Sequence, residues 1–285
     1  MAITNVQPLP DVATLVDLER YPIHDLESVA VGELIATWRT EFNDTGACNL
    51  PGFIKQEGVD LLAAEAKALI PDAHQWSYTR NFLSESEDDP TLSSDHPARI
   101  FWTTSTTQLF GNQISRQTGI RQLYEWDALT TFISRIQNKD KLYRFADELE
   151  DLNIIAINNH ESVIWHHDRN ECTVTLLLQE PEAGGEFVYC RDTLAQDGTV
   201  NWEVVSNFLD FVSDLSEPKD VLTPLSTTSP EVNWLERGSG TLTLFRGGHS
   251  MHGVLPVRGE QARISAVLTY DSDPTSWSRQ RYGAS

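Results

Sequence analysis

Cysteine is scarce, with three residues, Cys48, Cys172 and Cys190, in a chain of 285. The count is odd and the spacing matches no zinc pattern, which argues against a disulfide framework and against a structural zinc site. Cys172 sits in an apolar, strand-like run and reads as a small core residue. Positive charge is also short: 21 Lys and Arg face 42 Asp and Glu, for a formal net charge of -21. Such a field repels a phosphate backbone and an anionic membrane surface, so neither nucleic acid nor lipid is expected as a partner. No apolar run approaches the roughly 18 residues that a membrane span needs. No basic segment followed by an apolar stretch opens the sequence as a secretory signal would. A reducing, cytoplasmic setting is therefore expected.

Hydrophobic residues make up 40 % of the chain, enough for a sizeable core. No internal repeat or low-complexity linker divides it, so 1–285 reads as a single domain. The first half, 1–150, reads as mainly helical support. Val31, Leu34, Ile35, Trp38 and Phe42 recur at helical spacing and Gly46 supplies a stop. Val59, Leu62, Ala66 and Leu69 repeat the pattern before Pro71, and Leu123, Trp126, Leu129, Phe132, Ile133 and Ile136 suggest a third helix. Residues 84–98 are acidic, Ser-rich and carry two prolines, as an exposed loop does. The second half changes character. Segments 152–158, 172–178, 186–190, 241–246 and 263–270 are β-rich runs separated by turn signals such as Gly184–Gly185 and Gly247–Gly248. Strands clustered after helices predict an α+β arrangement with an antiparallel β core over 151–275. Residues 206–236 interrupt that core with a long acidic stretch, read as a lid insertion or a partly disordered segment.

Trp165-His166-His167-Asp168 carries the chemistry. If this segment starts a strand, His166 and Asp168 share a face, ~7 Å apart, and His167 points the other way. An imidazole and a carboxylate so placed can converge on one metal. The third ligand is expected from a distant strand brought near by barrel closure. His252, after strand 241–246 and the Gly-Gly turn, is preferred to His249 because of its spacing to Arg263. Two imidazoles and one carboxylate leave adjacent positions open and are the ligand set of non-haem Fe(II) oxygenases. In Arg263-Ile264-Ser265, a guanidinium and a hydroxyl on one strand face can grip the far carboxylate of a dicarboxylate.

The order His-x-Asp, a long gap, His, about ten residues, then Arg-x-Ser resembles the Fe(II)/2-oxoglutarate-dependent dioxygenase superfamily. A closer likeness is to bacterial members acting on free amino acids, among them lysine hydroxylases and their radical halogenase relatives. It is carried by residues 165–190 and 244–270, with HPAR (96–99), LYEWD (123–127) and LYRFADELEDLNI (142–154). It covers most of 45–275. The resemblance implies a double-stranded β-helix, a jelly-roll or cupin-like core with helices packed on one side. It implies Fe(II) held by His166, Asp168 and His252, 2-oxoglutarate held by Arg263 and Ser265, and O2 as oxidant. The halogenases of this family replace the carboxylate ligand with a small residue, which frees a position for chloride. This chain keeps Asp168, so the resemblance implies hydroxylation of an unactivated C–H bond, or desaturation, rather than halogenation. Succinate and CO2 would be released, and the substrate would be a small molecule such as a free amino acid, basic ones included.

Residues for the primary substrate are less sharply marked. Thr269 shares the face of Arg263 and Ser265 if the strand stays regular. Arg169 and Asn170 follow the metal motif, and Arg99 and Trp277 enter through the family likeness. A surface or packing role is the simpler reading of each. Asp147, Glu148, Glu150 and Asp151 could attract a cationic side chain, although a charge run is usually a solvated face. His167 and Asn153 could support the ligands, and His160 could line the pocket. Other readings of the motif are an oxygenase acting on a carrier- or peptide-tethered amino acid, a non-catalytic cupin-like metal-binding protein, and a zinc hydrolase using the same triad. Oligomeric state leaves no mark in the sequence.

Overall fold

In the computed structural model, residues 11–170, 172–213, 232–235 and 238–275 are described. The helix expected from Val31 runs Val29–Thr45. The Ser28 hydroxyl accepts from the Val31 N–H, and Gly46 ends the helix at φ 76°, a left-handed conformation that glycine adopts without penalty. The second helix spans Gln56–Leu69. The third divides into Gly119–Glu125 and Asp127–Ile136, because Trp126 is extended at φ -76°, ψ 115°. The apolar spacing continues across that break, so periodicity alone does not register it.

Seven antiparallel strands form the larger sheet, in the order Ala47–Leu50, Leu242–Phe245, Thr173–Gln179, Arg263–Leu268, Leu152–Ile157, Trp102–Leu109, His74–Arg80. Val232–Leu235, Phe187–Cys190, Met251–Val254 and Val163–His166 form the smaller one. The N-terminal half is thus less helical than its sequence suggests, since it contributes three strands to the larger sheet. Trp102–Leu109 reads WTTSTTQL. Its β-branched residues suit a strand, but they are polar and give no apolar alternation. His74–Arg80 is an edge strand with most side chains exposed, so burial imposed no pattern on it.

Side-chain alternation sorts the larger sheet into two faces. Cys48, Ile154, Ala156, Val174, Leu176, Leu242, Leu244, Ala266 and Leu268 pack with Ile35, Phe42, Leu62, Leu123 and Phe132 of the helices in the main core. The intervening positions, Asn153, Thr173, Thr175, Thr243 and Ser265, face the opposite way, toward the space between the sheets. This is a jelly roll with helices on its larger sheet. A further helix, Trp202–Ser213, covers the outside of the smaller sheet: Val205, Phe208, Leu209 and Val212 pack on Trp165, Val188, Cys190 and Met251. Residues 206–213 of the expected lid are therefore a packed helix, which the apolar spacing at 205, 208, 209 and 212 explains. Of the rest of that insertion, Val232–Leu235 is a strand of the smaller sheet, and 214–231 and 236 lie outside the described residues. Among the described residues no helix is long and apolar enough to cross a membrane.

Candidate metal centre

His166 closes the Val163–His166 strand rather than opening one, and Asp168 lies two residues beyond it. The turn keeps its direction because the Asp168 N–H donates to the Gly247 carbonyl at 3.0 Å. His252 lies directly opposite His166 in the neighbouring strand. Nε2 of each imidazole is 3.4 Å from Asp168 Oδ1, and the three donor atoms lie within 4.8 Å of one another.

Hydrogen bonds fix how each donor is presented. His166 Nδ1 is 2.7 Å from the Ile164 carbonyl, and His252 Nδ1 is 2.9 Å from that of Ser250. A carbonyl only accepts, so both protons sit on Nδ1 and both Nε2 lone pairs point inward. The Thr173 hydroxyl donates to Asp168 Oδ2, leaving Oδ1 toward the imidazoles. Asn170 donates to Thr173 Oγ1 at 3.2 Å and to the Cys172 carbonyl at 2.6 Å, so its side chain braces the turn rather than the pocket mouth.

Burial alone would raise the Asp168 carboxyl, but the two imidazoles outweigh it and hold the group well below the usual carboxylate range. Burial opposes charge on His166, yet the hydrogen bond and negative charge of Asp168 carry its pKa above the ordinary value. Two imidazole nitrogens and one carboxylate oxygen, presented without cysteine, suit a borderline divalent ion such as Fe(II).

Arg263 and Ser265 are buried on the Arg263–Leu268 strand, and Arg263 Nη1 donates to Ser265 Oγ at 2.7 Å. Burial lowers the guanidinium pKa to about 10, which leaves it charged at neutral pH. Among the described residues no carboxylate pairs with it. Ile157, opposite Arg263 in register, belongs to a buried cluster with Val254 and Val257 against which Phe187 packs, and the Phe187 ring centroid is 5.4 Å from that of His252. The cation and the His-Asp-His cluster therefore share one apolar surround.

The other expected residues are placed as follows. His249 turns away, with Nδ1 3.2 Å from the Leu194 carbonyl. His167 points opposite to His166 and Asp168, toward Thr193, and burial with the neighbouring His252 and His166 pushes its pKa down to about 3. Thr269 lies past the strand end, its carbonyl accepting from Phe145 N and Tyr124 Oη. Arg99 spends its guanidinium on Asp88, through two bonds of 2.8 Å, and on the Leu92 carbonyl. Arg169 is exposed, within electrostatic reach of Glu150 and Arg80. Asp151 pairs with buried Arg121, Asp147 is buried, and burial followed by the charge of Asp147 raises the Glu150 carboxyl. His160 Nδ1 accepts from Arg258 on the surface. Asn153 accepts from Gln108 Nε2 at 3.0 Å. Trp277 lies outside the described residues. Two residues that sequence reasoning missed are Thr173 and Gly247. The first stood at an unremarkable strand position, and the second was read only as a turn.

The family model HalD, Halogenase D, matches residues 31–281. The chain belongs to the Halogenase D family. No curated protein matches this Halogenase D member. Among solved structures its fold is similar to SnoK, a non-heme alpha ketoglutarate dependent carbocyclase from nogalamycin biosynthesis, at 10 % identity and TM-score 0.55, covering 87 % of this chain and 90 % of that one. The epimerase SnoN, from the same biosynthesis, is similar at 13 % identity and TM-score 0.53, covering 84 % and 83 %. AviO1 from Streptomyces viridochromogenes Tue57 is similar at 14 % identity and TM-score 0.53, covering 85 % and 96 %. At such identities the likeness is one of fold, the jelly roll with flanking helices.

Proposed function

We propose that this Halogenase D family member is an Fe(II)/2-oxoglutarate-dependent hydroxylase, with residues 1–285 working as one oxygenase domain on a small substrate, a free amino acid. The observation that carries the reading is the donor set, two Nε2 atoms and one carboxylate oxygen turned to a common point. His166, Asp168 and His252 would hold the iron, and Arg263 with Ser265 would hold the far carboxylate of 2-oxoglutarate. With O2, the bound iron and co-substrate supply the oxidation, one oxygen entering a C–H bond while 2-oxoglutarate leaves as succinate and CO2. The chain's own work is placement. The Ile164 and Ser250 carbonyls hold the two imidazoles in the metal-binding tautomer. Thr173 orients Asp168. Arg263 brings a positive charge into an apolar surround where a carboxylate would compensate it.

The family is named for a halogenase, and Asp168 separates the two outcomes. With iron bound, its carboxylate would fill the position that chloride needs, so oxygen insertion is favoured over chlorination.

The experiment is incubation with Fe(II), 2-oxoglutarate, ascorbate, chloride and air against a panel of amino acids, with succinate assay and mass spectrometry. Substrate-dependent succinate and a product heavier by one oxygen are expected, and Asp168→Ala should abolish both. A chlorinated product from the unmodified protein would sink the hydroxylase reading. Succinate without any product from free amino acids would point to a tethered substrate. Bound iron with no succinate would favour a metal-binding protein without turnover.

A further inference from the structure

We propose that Thr193 is a positioning residue of the metal centre, its single hydroxyl tying the His166–Asp168 segment to the strand that carries His252. The inference rests on the metal-centre reading above. Thr193 is fully buried in the loop that follows the Phe187–Cys190 strand. Its Oγ1 lies 2.8 Å from His167 Nε2, accepts the Met251 N–H at 2.8 Å and is 3.3 Å from the His249 carbonyl. A hydroxyl has one proton and two lone pairs. With the Met251 N–H on one lone pair, the hydroxyl meets His167 Nε2 either as acceptor from an Nε2–H tautomer, its own proton then going to the His249 carbonyl, or as donor to a bare Nε2.

The position of these partners gives the hydroxyl its meaning. His167 stands between two ligands and points away from them, so holding its ring stops the 166–168 segment from turning about its own axis. Met251 immediately precedes His252. The grip thus acts on both ligand-bearing strands from the side opposite the donor atoms, where His166 and His252 are paired in register. The loop is itself anchored. Leu194 N donates to the His249 carbonyl at 3.2 Å, and Asn201 N donates to the Thr193 carbonyl at 3.0 Å, just before the Trp202–Ser213 helix. Phe208 of that helix meets Trp165, the neighbour of His166, edge-on at 5.0 Å. Residues that orient metal ligands typically change metal affinity about 10- to 100-fold when removed.

The test is Fe(II) affinity by anaerobic calorimetry, alongside the unfolding midpoint of the metal-free protein. Thr193→Val should weaken Fe(II) binding about 10-fold or more, and Thr193→Ser should restore it to within roughly 3-fold of the unmodified protein. A lowered metal-free midpoint with native Fe(II) affinity in Thr193→Val would mean a merely structural role and overturn the proposal. Failure of Thr193→Ser to restore affinity would overturn it as well. If Thr193→Val does not fold, His167→Phe decides, since it keeps the ring packed near Phe82 and removes only the bond to Thr193; native affinity there overturns the link. Unmodified protein that takes up no Fe(II) would instead overturn the metal reading, and this inference with it.

Discussion

Gly247 and Asp168 compete for the same space. A Cβ built on Gly247 would stand 2.6 Å from Asp168 Cγ and closer still to Oδ2, while the Gly247 carbonyl receives the Asp168 N–H. The glycine is thus required by the carboxylate beside it, and its φ is not in the left-handed region. Gly247→Ala should leave the helical core intact, displace the Asp168 carboxylate and weaken Fe(II) binding about 10-fold or more. Calorimetric titration checks this, and unchanged affinity would show that Asp168 is not a ligand.

Thr173 holds the second oxygen of the same carboxylate. Thr173→Val strips that bond from a largely buried acceptor, a loss of about 1–3 kcal/mol. It should lower iron affinity, with Thr173→Ser close to the unmodified protein. Equal affinity in Thr173→Val and Thr173→Ser would exclude the orienting role.

Arg263 predicts opposite effects on stability and binding. A buried guanidinium with no carboxylate partner is costly until a dicarboxylate arrives. Arg263→Met should therefore raise, or leave unchanged, the unfolding midpoint of the co-substrate-free protein. It should also remove the stabilisation of about 2.7 kcal/mol expected when 2-oxoglutarate is present at one hundred times its Kd. Thermal scans with and without 2-oxoglutarate test both halves. Undiminished stabilisation in the variant would place the co-substrate elsewhere.

Metal uptake should depend on pH in a stated direction. Asp168 raises the pKa of His166 in the metal-free protein above the ordinary value of 6.5. Iron must displace that proton. Apparent affinity should fall as pH drops through the raised His166 pKa, and the rise with pH should continue beyond 6.5 before levelling. Affinity already level below pH 6.5 would contradict the His166–Asp168 coupling.

Much of this site was legible from spacing. Period-two alternation put His166 and Asp168 on one side and His167 on the other, although the strand ends at His166 instead of beginning there. The eleven-residue step from His252 to Arg263 fits a chain that leaves one sheet and returns in the other. Less was legible in the first half, because helical periodicity reports a buried stripe and two of its three strands in the larger sheet, His74–Arg80 and Trp102–Leu109, bury no regular apolar face. The same blindness turned the Trp202–Ser213 helix into part of a lid, since the acidic composition around it masked four apolar positions.

The sequence by itself determined which chemistry is available: the donor types, the guanidinium-hydroxyl pair, the carboxylate at Asp168, and the alternation that sends each side chain to a face. These are local properties, set by residue identity and backbone period. Tertiary structure decided what is non-local. It brought His252 into register with His166 and turned His249 away. It paired Arg99 with Asp88, Asp151 with Arg121, and set Gly247 and Thr173 against one carboxylate. Those relationships depend on which strands become neighbours, and strand order follows from closing two sheets over a common core rather than from any single segment.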